Sequence, residues 1–390
     1  MPFARSDNLR VRHGHDHHRV TFVELFFDLV FVFAVTQLSH GLLHHLTPLG
    51  AVEAGLLMVA VWWAWIDTAW TTNWLDPDRP LVRIMLFLLM LGGLVLAAAI
   101  PQAFEGRAIV FAAAYIAMQA LRDLFMLWVL RGNSPANFRN FVRIGAWHLC
   151  LAPLWIAGAL SGHEAQLPLW AIAVVIESAG PIAYFWVPGL GRSTTSDWTV
   201  EGGHMAERCA LFVIIALGES ILITGATFAE QSWTPLALQA FAVAFIGSIA
   251  MWAVYFNIGA ERGSRQIAAS DDPGRIARSG YTYLHMPIIA GIIVGAVGDD
   301  LVLHDPLAAA TPAAAAVLLG GPALYLAGNA LFKRLSAPNI PFSHMVGLVL
   351  LAALALFVSS MTTLMLATAA TVVLIVVVVW EWRSLGSGPT

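Results

Sequence analysis

Two carboxylates, Glu24 and Asp28, stand four residues apart in the otherwise apolar run from Val23 to His40. In a helix that spacing turns them about 40° relative to each other, so both lie on the stripe that Phe31, Val35, Ser39 and Leu42 continue. An acid inside a bilayer-spanning run costs at least about 3 kcal/mol, so its presence calls for a function or a partner. The chemistry such a pair supports is a polar crevice that holds a cation or exchanges protons. Thr21-x-x-Glu24 also has the form of a capping box, in which Glu24 closes back on the helix start. Asp28, one turn deeper, has no capping duty.

A second set lies in the run that begins at His204. His204, Arg208 and Glu219 share one broad helical face, with Glu207 at its edge. Arg208 and Glu219 are eleven residues apart, roughly 16 Å along a helix, so they cannot pair directly. Each needs a partner from another helix, and Arg208 beside Glu24 or Asp28 would be a bridge between the halves of the chain. Glu219 follows Gly218 near the middle of its run, where an unpaired carboxylate is hardest to keep. It is the foremost candidate.

Other candidates are spread along the chain. Asp67 sits among Trp63, Trp65 and Trp70, and His285 precedes Pro287, which frees a backbone carbonyl. Tyr115, Gln119 and Arg122 form an i, i+4, i+7 stripe with Asp123 adjacent. Arg122 is expected to pair locally or to reach the inner membrane face. Glu177 and His148 read as structural residues, and Asn257 and Asn329 as interhelical hydrogen-bonding groups. His13, His15, His17 and His18 form a His-rich tail. His40, His44 and His45 gather at one outer end, and His304, Asp299, Asp300 and Asp305 in another outer loop. No cysteine or fixed carboxylate completes a metal-ligand pattern there, so solvated loop histidines and no metal or cofactor are expected. HExxH, GxSxG and glycine-rich phosphate-loop motifs are absent. No catalytic residue is assigned, and an enzyme is not expected.

The elements that must hold these residues follow from composition. The 390 residues are 59% hydrophobic and 11% charged, against about 25% charged in soluble domains, and mean hydropathy is +0.75. The expectation is an all-α polytopic membrane protein with twelve spans near 22–43, 51–72, 81–100, 108–130, 141–160, 167–188, 206–228, 233–258, 280–298, 313–332, 344–362 and 364–382. Only Ser359 to Thr363 separates the last two, so one long helix there would give eleven. With a cytoplasmic N-terminus, seventeen of the twenty Lys and Arg fall in inward segments, Arg107 faces outward, and Arg122 and Arg208 lie within helices. Retention of positive charge on the inside places both termini in the cytoplasm and favours twelve. Residues 1–20 form a polar tail without a cleavable signal peptide, 21–383 the membrane domain, and 384–390 a short cytoplasmic tail. Cys150 and Cys209 fall within helices and are expected to be buried and unbridged. The formal charge of −4 offers no nucleic-acid surface. The lipid bilayer is the partner the composition demands, and a homo-oligomer is compatible with it.

The halves 21–188 and 204–383 resemble each other. Glu24 matches Glu207; Trp62 to Asp67 matches Met251 to Asn257; Tyr115 and Gln119 match Tyr325 and Asn329. Offsets drift from 183 to 210 residues as loops lengthen. Two parallel six-helix repeats joined by the glycine-containing stretch 189–203 are the expected organisation, as in several transporter folds. The chance likeness of apolar helices is the competing explanation.

Glu24-Leu25-Phe26-Phe27-Asp28-Leu29-Val30-Phe31 resembles the signature of the bacterial low-temperature-requirement A (LtrA) family. Ile100 to Phe104 with Tyr115, His204 to Arg208 leading to Ala216 through Ser220, and Trp252 to Phe256 agree with it, so the likeness runs from about residue 15 to 383. The resemblance implies a multi-pass protein of the bacterial inner membrane linked to growth in the cold. It supplies no substrate. Buried carboxylates in repeated six-helix halves suggest a secondary transporter for a small solute or ion, coupled to protons. The alternatives are a duplicated ion channel, or a membrane enzyme or lipid-handling protein. Arg208-x-x-x-Phe212 and Phe27-Asp28 faintly resemble the motif of the lysosomal potassium channel family, without its serine. The lipid-handling alternative rests on the cold-growth phenotype alone.

Overall fold

The computed structural model describes residues 8–10, 19–194, 200–336 and 339–386. The tail histidines at 13, 15, 17 and 18 lie outside the described residues. Among those described, the chain is helical, with isolated antiparallel bridges in place of strands. The helices are α1 (Phe22–His44), α2 (Pro48–Trp74), α3 (Pro80–Ala99), α4 (Ala108–Leu130), α5 (Pro135–Leu160), α6 (His163–Ala179) and α7 (Gly202–Glu230). They continue as α8 (Pro235–Val254), α9 (Ala260–Ala268), α10 (Pro273–Ile276), α11 (His285–His304), α12 (Pro312–Ser336), α13 (Phe342–Leu354) and α14 (Thr363–Gly386). Helices α2, α3, α5, α8 and α12 open on proline, which lacks the N–H that a first turn leaves unpaired anyway. Two π-helical turns, Tyr255–Gly259 and Ala277–Tyr283, interrupt the second half.

Among the described residues eleven helices are long and apolar enough to cross a membrane, which makes the chain an all-α, multi-pass membrane protein. The run expected at 167–188 differs. Its helix starts at His163 and stops at Ala179, because Pro181 cannot continue the ladder and Tyr184 and Phe185 take left-handed conformations, φ 54° and 49°. Its 17 residues fall short of the roughly 20 that cross the hydrocarbon. The C-terminal stretch is two helices: α13 ends in a 3-10 turn at Ala355–Ser360, and α14 begins at Thr363. Cys209 is buried as expected, but Cys150, on α5, is exposed.

The chain divides into two compact units. The first comprises Met1–Gly41, Pro48–Arg208 and Ser270–Arg278; the second Leu42–Thr47, Cys209–Ala269 and Ser279–Thr390. Within the first, α3 packs on α4, α4 on α5, α5 on α6, and α2 on α6. Within the second, α11 packs on α12, α12 on α13, α13 on α14, and α8 on α14. These four contacts recur in the same order, whereas α2 also packs on α4 in the first unit, and α11 and α12 also pack on α14 in the second.

The first unit's core is aromatic. Trp155, Trp170, Phe111 and Tyr115 interlock with ring centroids 4.8–6.1 Å apart, and α5 has a glycine, Gly158, where Trp170 passes. In the second unit small residues bring α11 and α12 together. A Cβ on Gly291 would stand 2.5 Å from the Tyr325 backbone nitrogen, and one on Gly321 would stand 2.7 Å from that of Gly295. Backbone cannot yield as a side chain does. Gly291→Leu or Gly321→Leu is therefore expected to cost at least about 1–3 kcal/mol, read as a lower melting temperature in detergent; a wild-type melt would contradict this packing.

Candidate functional site

The first unit holds two buried polar clusters. One gathers around the start of α1. Residues 8–10 pair antiparallel with the end of α2 through the Leu9–Leu75 bridge. Arg10 Nε donates to the carbonyls of Thr72 and Leu75, 2.9 Å each, which satisfies the last turn of α2. That anchorage directs Arg10 Nη2 to Glu24, 3.3 Å away. Glu24 does close the capping box: Thr21 N and Oγ1 both donate to its Oε2 at 2.9 Å. The same carboxylate accepts from His204 Nε2 at 2.8 Å and faces Arg208 Nη1 at 3.3 Å. Asn73 Nδ2 approaches His204 Nδ1 at 3.3 Å, so the imidazole protonated on Nε2 and bare on Nδ1 meets Glu24 and Asn73; Arg10 Nη2, 3.1 Å from the same Nε2, then contacts it without donating to it.

Asp28 takes the deeper place. Its Oδ1 accepts from Arg208 Nη2 and from Trp65 Nε1, both at 2.7 Å, while Oδ2 has no hydrogen-bond partner among the described residues. The Arg208 guanidinium carbon stands 5.9 Å from the Phe27 ring centroid and 5.7 Å from that of Trp65. Glu24, Asp28 and Arg208 are fully buried. Two carboxylates face two guanidiniums, so this network is electrically balanced.

The second cluster is not balanced. Asp67 on α2, Gln119, Arg122 and Asp123 on α4, His148 on α5 and Glu177 on α6 converge on one place. Arg122 Nη2 donates to Asp67 Oδ2 at 3.0 Å. Glu177 Oε1 accepts from Tyr115 Oη at 2.6 Å and Gln119 Nε2 at 2.8 Å, leaving Glu177 Oε2 and Gln119 Oε1 buried without a hydrogen-bond partner. His148 Nδ1 lies 2.6 Å from Asp123 Oδ2. A carboxylate there requires Nδ1 to be the protonated nitrogen. Three carboxylates thus share one guanidinium, an excess of two negative charges when His148 is neutral. A cavity of about 470 Å³ opens beside the cluster. Tyr115, Gln119, Asp123, His148 and Glu177 line its polar end, and apolar side chains of α4 and α5 line the rest.

The remaining candidates lie elsewhere. Glu207 is half-buried and accepts from Val20 N at 3.1 Å. Glu219 is buried in the second unit. Next to it, Ser220 Oγ donates to Asp299 Oδ2 at 3.0 Å, and Thr227 Oγ1 to Asp300 Oδ1 at 2.7 Å. Asp299 and Asp300 therefore belong to the last turns of α11 and not to an outer loop, because the helix runs on to His304. His285 donates from Nδ1 to the Gly280 carbonyl at 2.9 Å and accepts from Tyr255 Oη at 2.8 Å, a complete set for a neutral core imidazole. Asn329 Nδ2 bonds back to Tyr325 O on its own helix and not across helices. Also in the second unit, Lys333 Nζ lies 2.8 Å from each Glu381 carboxylate oxygen and 2.7 Å from the Val254 carbonyl. Glu177 on α6 and His148 on α5 give no single-helix signal, whereas Asp123 continues the α4 stripe one turn beyond Gln119.

The family model described as "Bacterial low temperature requirement A protein (LtrA)" matches residues 19–379. An uncharacterized protein of Rhizobium meliloti (strain 1021) is 42% identical over 373 residues, covering 95% of this chain and 90% of that protein. No solved structure matches the chain significantly. With the match spanning nearly every helix and both clusters apart from Arg10, the chain belongs to the bacterial low temperature requirement A (LtrA) family.

Proposed function

We propose that this LtrA-family protein is a secondary transporter of the bacterial cytoplasmic membrane, carrying a small solute or ion in exchange for or together with protons. The observation that carries the reading is the gathering of Asp67, Asp123 and Glu177 around one guanidinium and one imidazole, beside a cavity within apolar helices. Buried carboxylates in excess of their cations must hold protons or a cation, because isolated charge in low dielectric is too costly. Alternation between those two occupants is what proton coupling requires. The network of Glu24, Asp28, Arg10 and Arg208 is already neutral, so its role in this reading is to fix the first unit and not to carry cargo. The recurring order of helix neighbours supports a duplicated fold, the organisation of many carriers. Both termini are cytoplasmic in this reading, and the protein is a carrier and not an enzyme.

The test uses purified protein in liposomes loaded with a pH-sensitive dye and challenged with inward gradients of monovalent and divalent cations. At least one cation is expected to change internal pH above the empty-liposome rate. Glu177→Gln is expected to slow that response at least about tenfold, the scale of one lost charge-assisted contact. Responses that match empty liposomes for every cation, or that ignore the substitution, would overturn the reading.

A further inference from the structure

The place where the second cluster lacks positive charge has a defined shape. With Nδ1 of His148 committed to Asp123, Nε2 faces two carboxylates: Asp67 Oδ2 at 3.8 Å and Glu177 Oε1 at 3.9 Å. One ligand atom from each of Asp67, His148 and Glu177 lies within 4.8 Å of the others. Such a nitrogen and two carboxylates hold together only around something positive, which is a proton on Nε2 or a bound cation. A tetrahedral centre with bonds of about 2.1 Å holds its ligand atoms about 3.4 Å apart, so the two measured gaps close by about half an ångström around such an ion. Glu177 Oε2 and Gln119 Oε1 are buried without hydrogen-bond partners among the described residues, and Gln119 Nε2 ties the amide to both Glu177 and Asp67.

The second unit provides an internal comparison. On α4, Tyr115, Gln119 and Asp123 recur at i, i+4 and i+8; on α12, Tyr325, Asn329 and Lys333 have the same spacing. Each helix faces a glutamate from the helix two further on, Glu177 on α6 or Glu381 on α14. In the second unit the third position supplies Lys333, whose ammonium neutralises Glu381. In the first unit that position is Asp123, which adds negative charge and turns His148 toward the glutamate. A built-in cation in one unit corresponds to a missing one in the other.

We propose that Asp67, His148 and Glu177 bind a divalent first-row transition-metal ion, with Asp123 positioning His148 from behind. One imidazole and two carboxylates suit Zn²⁺, Mn²⁺, Fe²⁺ or Co²⁺ over alkali ions, and the nitrogen disfavours Mg²⁺ and Ca²⁺. The Asp123–His148–metal arrangement is the usual one, in which an outer carboxylate fixes the tautomer of a ligating histidine. Arg122 stays on Asp67 and offsets the third carboxylate. The inference uses the same cluster as the transport reading, but it concerns equilibrium binding and holds whether or not the ion crosses the membrane.

The experiment is titration of the metal-stripped protein in detergent with Zn²⁺, Co²⁺ and Mg²⁺. It is followed by calorimetry, by the visible absorption of bound Co²⁺, and by melting temperature. The wild type is expected to bind one equivalent of Zn²⁺ or Co²⁺ at least about tenfold tighter than Mg²⁺, and to melt higher with Zn²⁺. His148→Gln and Glu177→Gln are expected to weaken binding more than about 100-fold, and Asp123→Asn about 10–100-fold. Asp123→Lys, which copies the second unit's solution, is expected to remain folded and to melt at the same temperature with or without Zn²⁺. No saturable Zn²⁺ or Co²⁺ binding by monodisperse wild-type protein, or unchanged binding in both ligand variants, would overturn the proposal. Metal binding without any flux would contradict the transport reading and leave this site standing.

Discussion

Arg208→Met is expected to destabilise the protein by about 3–5 kcal/mol, the cost of removing one member of a buried ion pair. The loss falls on Asp28 more than on Glu24. Glu24 keeps Arg10, His204 and both groups of Thr21, whereas Asp28 keeps only the Trp65 indole. A carboxylate with one neutral donor, fully buried in an apolar unit, must be neutralised or the helix must move. Adding Asp28→Asn to Arg208→Met removes the stranded charge and is expected to recover most of the loss. Thermal melts of the single and double variants measure this directly. If Arg208→Met melts like the wild type, or if Asp28→Asn gives no rescue, the two groups are not the coupled pair that their 2.7 Å contact indicates.

Lys333→Met is the second large effect. Lys333 and Glu381 are buried against each other, and the Val254 carbonyl holds the ammonium from the other side. Losing the lysine leaves His344, 3.5 Å away, as the remaining ion-pair neighbour of Glu381 among the described residues. The expected cost is again about 3–5 kcal/mol, with substantial rescue by Glu381→Gln. The double replacement also isolates the logic of the metal site. A glutamate at this position requires either a fixed cation or neutralisation. Conversely, a double variant no more stable than Lys333→Met alone would mean that the lysine acts by packing and not by charge.

Much of this organisation was legible in the residues. Spans come from runs of apolar side chains, and eleven of the twelve expected runs meet helices long enough to cross. The capping role of Glu24 followed from Thr21-x-x-Glu24, and the need of Arg208 for a carboxylate on another helix followed from its isolation in an apolar run. The misjudged end of α6 has a local cause: apolar residues continue to Val187, but Pro181 and two left-handed residues end the helix first. Hydropathy registers burial and is blind to backbone geometry.

The second cluster was only partly legible. Asp67, Gln119 and Arg122 stood out, because a charge on an apolar helix is visible in one dimension. Their partners did not. Glu177 is 110 residues from Asp67, and His148 is 25 from Asp123, so only packing of α2, α4, α5 and α6 reveals that they meet. Arg10 was hidden for the opposite reason. It lies in a polar tail, and nothing before the Leu9–Leu75 bridge shows that it turns back under α1. Charge balance then reordered the candidates: the motif with the clearest signature is neutral within itself, and the less conspicuous set around Glu177 is not.

The central claim, that the uncompensated carboxylates serve movement of a solute or ion, is tested most directly by uptake into liposomes containing wild-type or Glu177→Gln protein. Internal pH and internal metal would be followed together after addition of Zn²⁺ or Mn²⁺. The account predicts saturable uptake by the wild type, accompanied by proton movement, with both lost together in a Glu177→Gln protein that melts as a folded species. Uptake no faster than in protein-free liposomes, or equal in the two proteins, would contradict it.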